Sequence, residues 1–166
     1  MNDRLTENDI KKINEEIRHR KLVIRPEAIE AVKEARAQGD LSENFEYYAA
    51  KKYKNENESR IRYLERMVRT AKIISDESPE DEVGLNNTVE LYFEDDDETE
   101  TYKLVTTVRA NSMKNMISNE SPLGKAILGR KVGDRVYVAI NEKAGYYVEI
   151  KSIENTDDTG DTIRKF

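Results

Sequence analysis

The sequence has no cysteine, and a single histidine among its 166 residues. The first absence excludes disulfides and thiolate metal sites. The second leaves no set of imidazoles for a zinc centre or an acid–base pair; His19 reads as an exposed helical residue. No apolar run approaches the ~20 residues that a membrane helix needs. The opening stretch MNDRLTENDIKKI carries no hydrophobic segment of the signal-peptide kind. These absences give the expectation of a soluble, cytoplasmic protein without a membrane partner.

Charge is plentiful but unevenly spread. Residues 1–75 carry 17 Lys+Arg against 14 Asp+Glu, a net +3, and residues 76–166 carry 11 against 20, a net −9. Halves of opposite balance suggest two units with different partners. A net charge of −6 argues against general nucleic-acid binding, whose affinity comes mainly from phosphate neutralisation. Any such contact has to be local.

The first half has helical periodicity. Ile10, Ile13, Ile17 and Ile24 keep a 3-4-7 spacing. Arg25-Pro26 is expected to interrupt the run, which resumes through Ala28, Ile29, Val32 and Ala35 until Gly39 caps it. A second run, from about Ser42 to Ile73, has Phe45, Ala49, Tyr53, Ile61, Leu64, Val68 and Ala71 as its apolar series. Two such arms joined by a short turn predict an antiparallel helical hairpin over residues 1–75, each arm ~45 Å long at 1.5 Å per residue. Its middle, KNENE (Lys54–Glu58), is polar and is expected to pack weakly.

Residues 75–87 are rich in turn formers and read as a linker. The period then changes to two. Val89, Leu91 and Phe93 alternate, as do Val136, Val138 and Ile140, and Tyr146, Val148 and Ile150; Thr101–Val108 is a further strand. Ser121 as N-cap, Pro122 at the first position and Gly129 as terminator predict a short helix. The fold class is therefore α+β: a helical hairpin, then residues 76–166 as a small antiparallel sheet with one helix. No aromatic-lined pocket is evident in the second unit.

One stretch of the hairpin turn, GDLSENFEYYAAKK (Gly39–Lys52), concentrates chemistry. Asp40 and Glu43 form an Asp-x-x-Glu pair ahead of a helix, the arrangement of a capping box. Ser42 is an equally good N-cap and would free both carboxylates. Two free carboxylates can share a hard cation such as Mg²⁺, but two ligands alone hold it weakly, so another macromolecule would complete the site. Both readings stay open on spacing alone. Nearby Arg36, Lys51, Lys52 and Lys54 are either a solvated helix face or a local phosphate-binding patch. The acidic run Glu94–Glu98 lacks the ligand pattern of a Ca²⁺ loop and reads as a charged hairpin turn. Tyr47, Tyr48, Tyr53 and Tyr63 carry no assigned stacking role.

RPEAIEAVKEARAQGDLSENFEYYAAKK (Arg25–Lys52), SRIRYLERMVRTAKII, SPEDEVGLNNTVELY and ISNESPLGKAILGRKVGDRVYV (Ile117–Val138) together resemble the bacterial Gre transcript-cleavage factors, on their GreA branch, over nearly the whole chain. The resemblance implies an N-terminal antiparallel coiled coil and a C-terminal FKBP-like domain. It also implies a monomeric partner of RNA polymerase that is not itself an enzyme. The second domain would dock at the rim of the secondary channel through Ser121, Pro122 and Leu123. The coiled coil would enter the channel and bring Asp40 and Glu43 to the polymerase's active centre. There they would help hold the second catalytic Mg²⁺, an ion the factor does not bind tightly alone, for hydrolysis of backtracked RNA. Arg36 and Lys51 would contact the 3′ end of that nascent RNA. Phe45 and Tyr48 depart from the family's usual small residue and histidine. Two alternatives remain: a factor of the same fold that occupies the channel and regulates without supporting cleavage, and a peptidyl-prolyl isomerase, which fold alone does not support.

Overall fold

The computed structural model describes residues 3–39 and 44–165. Its elements are β1 (Arg4–Leu5), α1 (Glu7–His19), a π-helical turn (Arg20–Ile24), α2 (Arg25–Arg36), α3 (Phe45–Thr70), β2 (Lys72–Ile73), β3 (Asn87–Phe93), β4 (Glu98–Val105), β5 (Met116–Ser118), α4 (Pro122–Ile127), β6 (Arg135–Ala139) and β7 (Gly145–Asn155). The chain divides into two compact units, Asn8–Ala71 and Arg4–Glu7 with the chain from Lys72 onward. The contacts thus part at 71/72 rather than at the expected 75/76. The reason lies in β1, which pairs in parallel with β2 through Arg4↔Lys72 and Leu5↔Ile73. Leu5, fully buried, is core of the second unit although it opens the chain.

The first unit is a helical hairpin, and Arg25-Pro26 does not break it. The Arg25 N–H reaches back to the Arg20 carbonyl, a five-residue span that widens one turn. Proline has no N–H to offer and its ring clashes with the carbonyl four residues earlier; a π turn just before Pro26 relieves that conflict and lets the helix run on.

The inward face of α3 also differs from the expected series. Phe45 and Tyr53 are exposed, as is Ala49; the buried positions are Tyr47, Asn57, Arg60, Ile61, Leu64 and Met67. Polar side chains occupy inward positions in the middle of the hairpin, and they pair across it. The Glu16 carboxylate accepts from Arg20 Nε at 2.8 Å and Arg60 Nε at 2.9 Å. Arg20 Nη1 donates to Asn57 Oδ1 at 3.0 Å, and Asn57 Nδ2 returns a bond to the Arg20 carbonyl at 3.3 Å. Arg25 holds Glu58 with both arms of its guanidinium, at 2.8 and 3.0 Å. Asn57 is 2% exposed and Arg60 7%. The polar middle is therefore a paired, mutually specific network rather than a weakly packed stretch.

That network sets a pH dependence. Burial raises the cost of charging Glu16, but hydrogen bonds from Arg60 and Arg20, with their charges, outweigh it and hold its pKa below the ordinary 4.5. The Arg25 bond lowers that of Glu58 as well. A carboxyl whose pKa is depressed on folding stabilises fully above its unfolded pKa, and that contribution is lost as pH falls through the folded value. The hairpin's melting temperature, followed by helical circular dichroism, should therefore fall as pH drops below about 4.5. Glu16→Gln should flatten that fall. A variant profile parallel to the native one would contradict the assignment.

The second unit is built on a five-stranded sheet in the order β5-β4-β3-β7-β6. All its neighbours are antiparallel except β4 and β5, which run parallel through Lys103↔Met116 to Val105↔Ser118. The sheet is thus mixed rather than wholly antiparallel. The expected strand Thr101–Val108 ends at Val105, and two 3₁₀ turns, Thr107–Arg109 and Ser112–Lys114, carry the chain back to start β5 beside β4. The fold class remains α+β. Val89, Leu91, Leu104, Val136, Val138, Val148 and Ile150 form the core with Ile127 of α4. Outside it, the fully buried Arg109 donates to Asn86 at 2.7 Å and to Asp161 at 2.9 Å, pinning the segment after β7 to the sheet unit.

Candidate functional site at the hairpin turn

Asp40, Leu41, Ser42 and Glu43 lie outside the described residues. Their flanks are informative. Helix α2 ends at Arg36, and Gly39 takes φ +107°, a conformation that suits a residue without Cβ. Helix α3 begins at Phe45 with Asn44 as its N-cap: the Asn44 side chain accepts from the Tyr47 N–H at 2.9 Å. The same side chain donates from Nδ2 to the Ala35 carbonyl at 2.8 Å. One asparagine thereby satisfies an orphan donor of α3 and a carbonyl near the end of α2, closing both ends of the turn. The N-cap position belongs to Asn44, and the capping expected of Asp40 or Ser42 falls on residues outside those described. Asn44 was open to sequence reading, since Asn, Asp and Ser are comparable caps and all three occur in DLSEN.

Beside the turn, Tyr47 gathers the basic residues. The Arg36 guanidinium lies 5.8 Å from its ring centroid. A hydrogen bond with Arg36 draws the Tyr47 hydroxyl below its ordinary pKa of 10, against the opposing effect of burial, and the charges of Lys51, Arg36 and Lys54 add to it. Arg36 and Lys51 both act on the Tyr47 hydroxyl through their charge, Arg36 alone lying against the ring, and both are exposed. Tyr47, to which the sequence assigned no stacking role, is buried with the Arg36 guanidinium beside its ring. Phe45 is 86% exposed and Tyr48 52%, so the two departures from the family pattern present aromatic surface to solvent.

In the second unit, Ser121 caps α4 as expected, accepting from the Gly124 N–H at 3.0 Å, and Pro122 occupies the first turn. Pro122 is exposed, whereas Leu123 is half-buried against the core. Of the three only Pro122 is exposed; Ser121 is half-buried too, its hydroxyl donating to the Ser118 carbonyl and accepting from the Gly124 N–H. Gly124 has no room for a side chain: a Cβ there would stand 2.0 Å from the Ser118 carbonyl oxygen. The acidic run after β3 forms the turn to β4. Among the described residues, no three His, Cys, Asp or Glu side chains are grouped so as to hold a metal ion, and no helix is long and apolar enough to cross a membrane.

Comparisons with known proteins agree over both units. Residues 4–73 match the family model described as transcription elongation factor, N-terminal, and residues 77–155 that described as transcription elongation factor, GreA/GreB, C-term. The chain is 43% identical to transcription elongation factor GreA of Mesoplasma florum, over 90% of this chain and 96% of that protein. It is 46% identical to transcription elongation factor GreA of Thermoanaerobacter pseudethanolicus, over 82% and 87%. A solved structure of GreA factor homolog 1 (Gfh1) from Thermus thermophilus is 27% identical and covers 93% of this chain and 99% of its own, with a TM-score of 0.44. Two family models in register with the two structural units, and relatives above 40% identity over most of the chain, lead to one conclusion: the chain belongs to the GreA/GreB family of transcription elongation factors.

Proposed function

We propose that this elongation factor acts on RNA polymerase through the secondary channel and stimulates hydrolytic cleavage of backtracked nascent RNA by the polymerase's own active centre. Asp40 and Glu43 are the acting groups of the hairpin turn. The observation that carries this reading is Asn44: because it caps α3, the two carboxylates are not needed for capping. Chemically the donor set fits, since paired carboxylates offer hard oxygen ligands to Mg²⁺ while leaving positions for water and for a second macromolecule. When bound between factor and polymerase, the ion would help generate the attacking hydroxide and steady the leaving oxygen. The chain's own part is to supply two negative ligands at the end of a long, slim arm. The Ser121-Pro122-Leu123 segment of the second unit, with Pro122 its exposed residue, supplies the docking contact in this reading.

Arg36 and Lys51 hold the displaced RNA end in this scheme. Each makes about one phosphate contact, so Arg36→Ala or Lys51→Ala should reduce the salt slope of RNA crosslinking by roughly 0.7 for a single strand. Because the native chain loses affinity faster with salt, the variants' deficit should be largest at low salt and shrink as salt rises. A deficit independent of salt would argue against phosphate contact.

The whole reading is tested by adding the chain to a stalled, backtracked elongation complex in a cell-free system and following the RNA 3′ end. Release of short 3′ fragments that depends on the chain is expected. Tight binding with no added cleavage would favour the regulator that occupies the channel, a reading to which the exposed bulk of Phe45 and Tyr48 gives some weight.

A further inference from the structure

The core face of the five-stranded sheet does not end where α4 stops covering it. By register, Glu98, Glu100 and Tyr102 of β4 stand opposite Phe93, Leu91 and Val89 of β3. They therefore share the face that carries the core. Tyr146 of β7 joins them, two residues before the buried Val148 that pairs with Phe93. The result is a cleft of about 380 Å³ with an aromatic floor and a carboxylate rim. On the floor, Phe93 stacks on Tyr146 and meets Tyr102 edge-on, each at a centroid distance of 6.0 Å. On the rim, Asp95, Asp96, Glu98 and Glu100 line the opening. Tyr102 donates its hydroxyl proton to Glu100; burial and that bond push the phenol up to about 12, so the floor stays neutral.

Such a combination selects an organic cation. Aromatic faces attract a guanidinium or ammonium through their quadrupole, and carboxylates against low-dielectric walls focus a negative field into the cleft. The described residues contain no grouping suited to a metal ion, which leaves a cation that stacks. A planar guanidinium does so while donating to carboxylates in a fork. The geometry next to the cleft favours an extended chain as its carrier. β5 covers β4 only from Lys103 to Val105, so Glu98–Glu100 is a sheet edge with no further strand among the described residues, able to take a peptide alongside.

We propose that this cleft receives an arginine side chain from an extended basic segment of a partner protein. The competing account is that Glu98 and Glu100 are inward-pointing charges that protect an open sheet edge from self-association. The experiment titrates the full chain, labelled for NMR, with a blocked glycine-serine peptide containing one arginine, with its citrulline counterpart, and with spermidine. Saturable shifts at Phe93, Tyr102 and Tyr146 with the arginine peptide are expected. Citrulline, of equal shape but uncharged, should bind about tenfold more weakly, and Glu98→Gln with Glu100→Gln should weaken the arginine peptide by a similar factor. Equal binding of citrulline, shifts scattered over the acidic surface, or no binding would overturn the proposal. Tighter binding of spermidine at the same residues would also overturn it, in favour of a free polyamine site. Self-association of the double variant with arginine binding unchanged would establish edge protection instead.

Discussion

Asp40→Asn and Glu43→Gln should each reduce factor-stimulated cleavage at least about 100-fold, the scale on which even outer partners of a metal site act. Binding to polymerase should not change. Each substitution keeps the side chain's shape and exchanges an anionic oxygen for an amide, a poor ligand for a hard cation. The stability outcome separates the metal role from the capping role. Loss of an N-cap costs ~1 kcal/mol, but the cap of α3 is Asn44, bonded to Tyr47 N–H. Both variants should therefore melt like the native chain. Asn44→Ala should show the reverse: lower melting temperature of the hairpin, with any loss of cleavage following from a disordered turn. Retained cleavage in Asp40→Asn and Glu43→Gln, together with reduced stability, would assign the pair to capping.

The second large effect is expected far from that chemistry. The Arg109 side chain is 0% exposed, and Asp161, 10% exposed, accepts from it and from Lys103 Nζ at 3.0 Å. Asp161→Ala removes the carboxylate that the buried Arg109 guanidinium and Lys103 share, so unfolding of the second unit should become easier by about 3–5 kcal/mol. Urea unfolding followed by tyrosine fluorescence and by helical dichroism would show the loss in the sheet unit. Replacing both partners with apolar residues, Arg109→Met with Asp161→Leu, should recover much of the stability, because no charge is then buried alone. A single-variant cost below ~1 kcal/mol would mean that Asn86 and water suffice for Arg109.

Which features could be read from the sequence follows from how local their causes are. The Ser121 cap, the positive φ of Gly39 and the alternation of Val136 and Val138 are each fixed by neighbours a few residues away, and each stands where the sequence placed it. The inward phase of α3 was hidden because Asn57 and Arg60 fill core positions. Only their partners Arg20 and Glu16, about forty residues earlier, make that burial tolerable. The same holds for β1, whose two residues gain meaning from Lys72-Ile73, and for the aromatic cleft, assembled from three strands. The π turn reflects a local conflict at Pro26 that was read as a break because helix continuation at the cost of one wide turn is the rarer outcome. At the turn itself, residue type alone marks the carboxylate pair and basic flank as a candidate site, and Asp40 and Glu43 lie outside the described residues. The choice of cap among Asp40, Ser42 and Asn44 depended on Asn44 also reaching the Ala35 carbonyl.

The central claim is that the turn acts by lending carboxylates to a shared metal ion, and the Mg²⁺ dependence of cleavage tests it most directly. Cleavage of a backtracked complex should be measured across Mg²⁺ concentrations with no factor, with the native chain, and with Asp40→Asn/Glu43→Gln. The native chain is predicted to shift half-maximal cleavage to clearly lower Mg²⁺, while the double variant, still bound, follows the curve of the polymerase alone. A native chain that raises the maximal rate without moving the Mg²⁺ midpoint, or a double variant that moves it equally, would contradict the account.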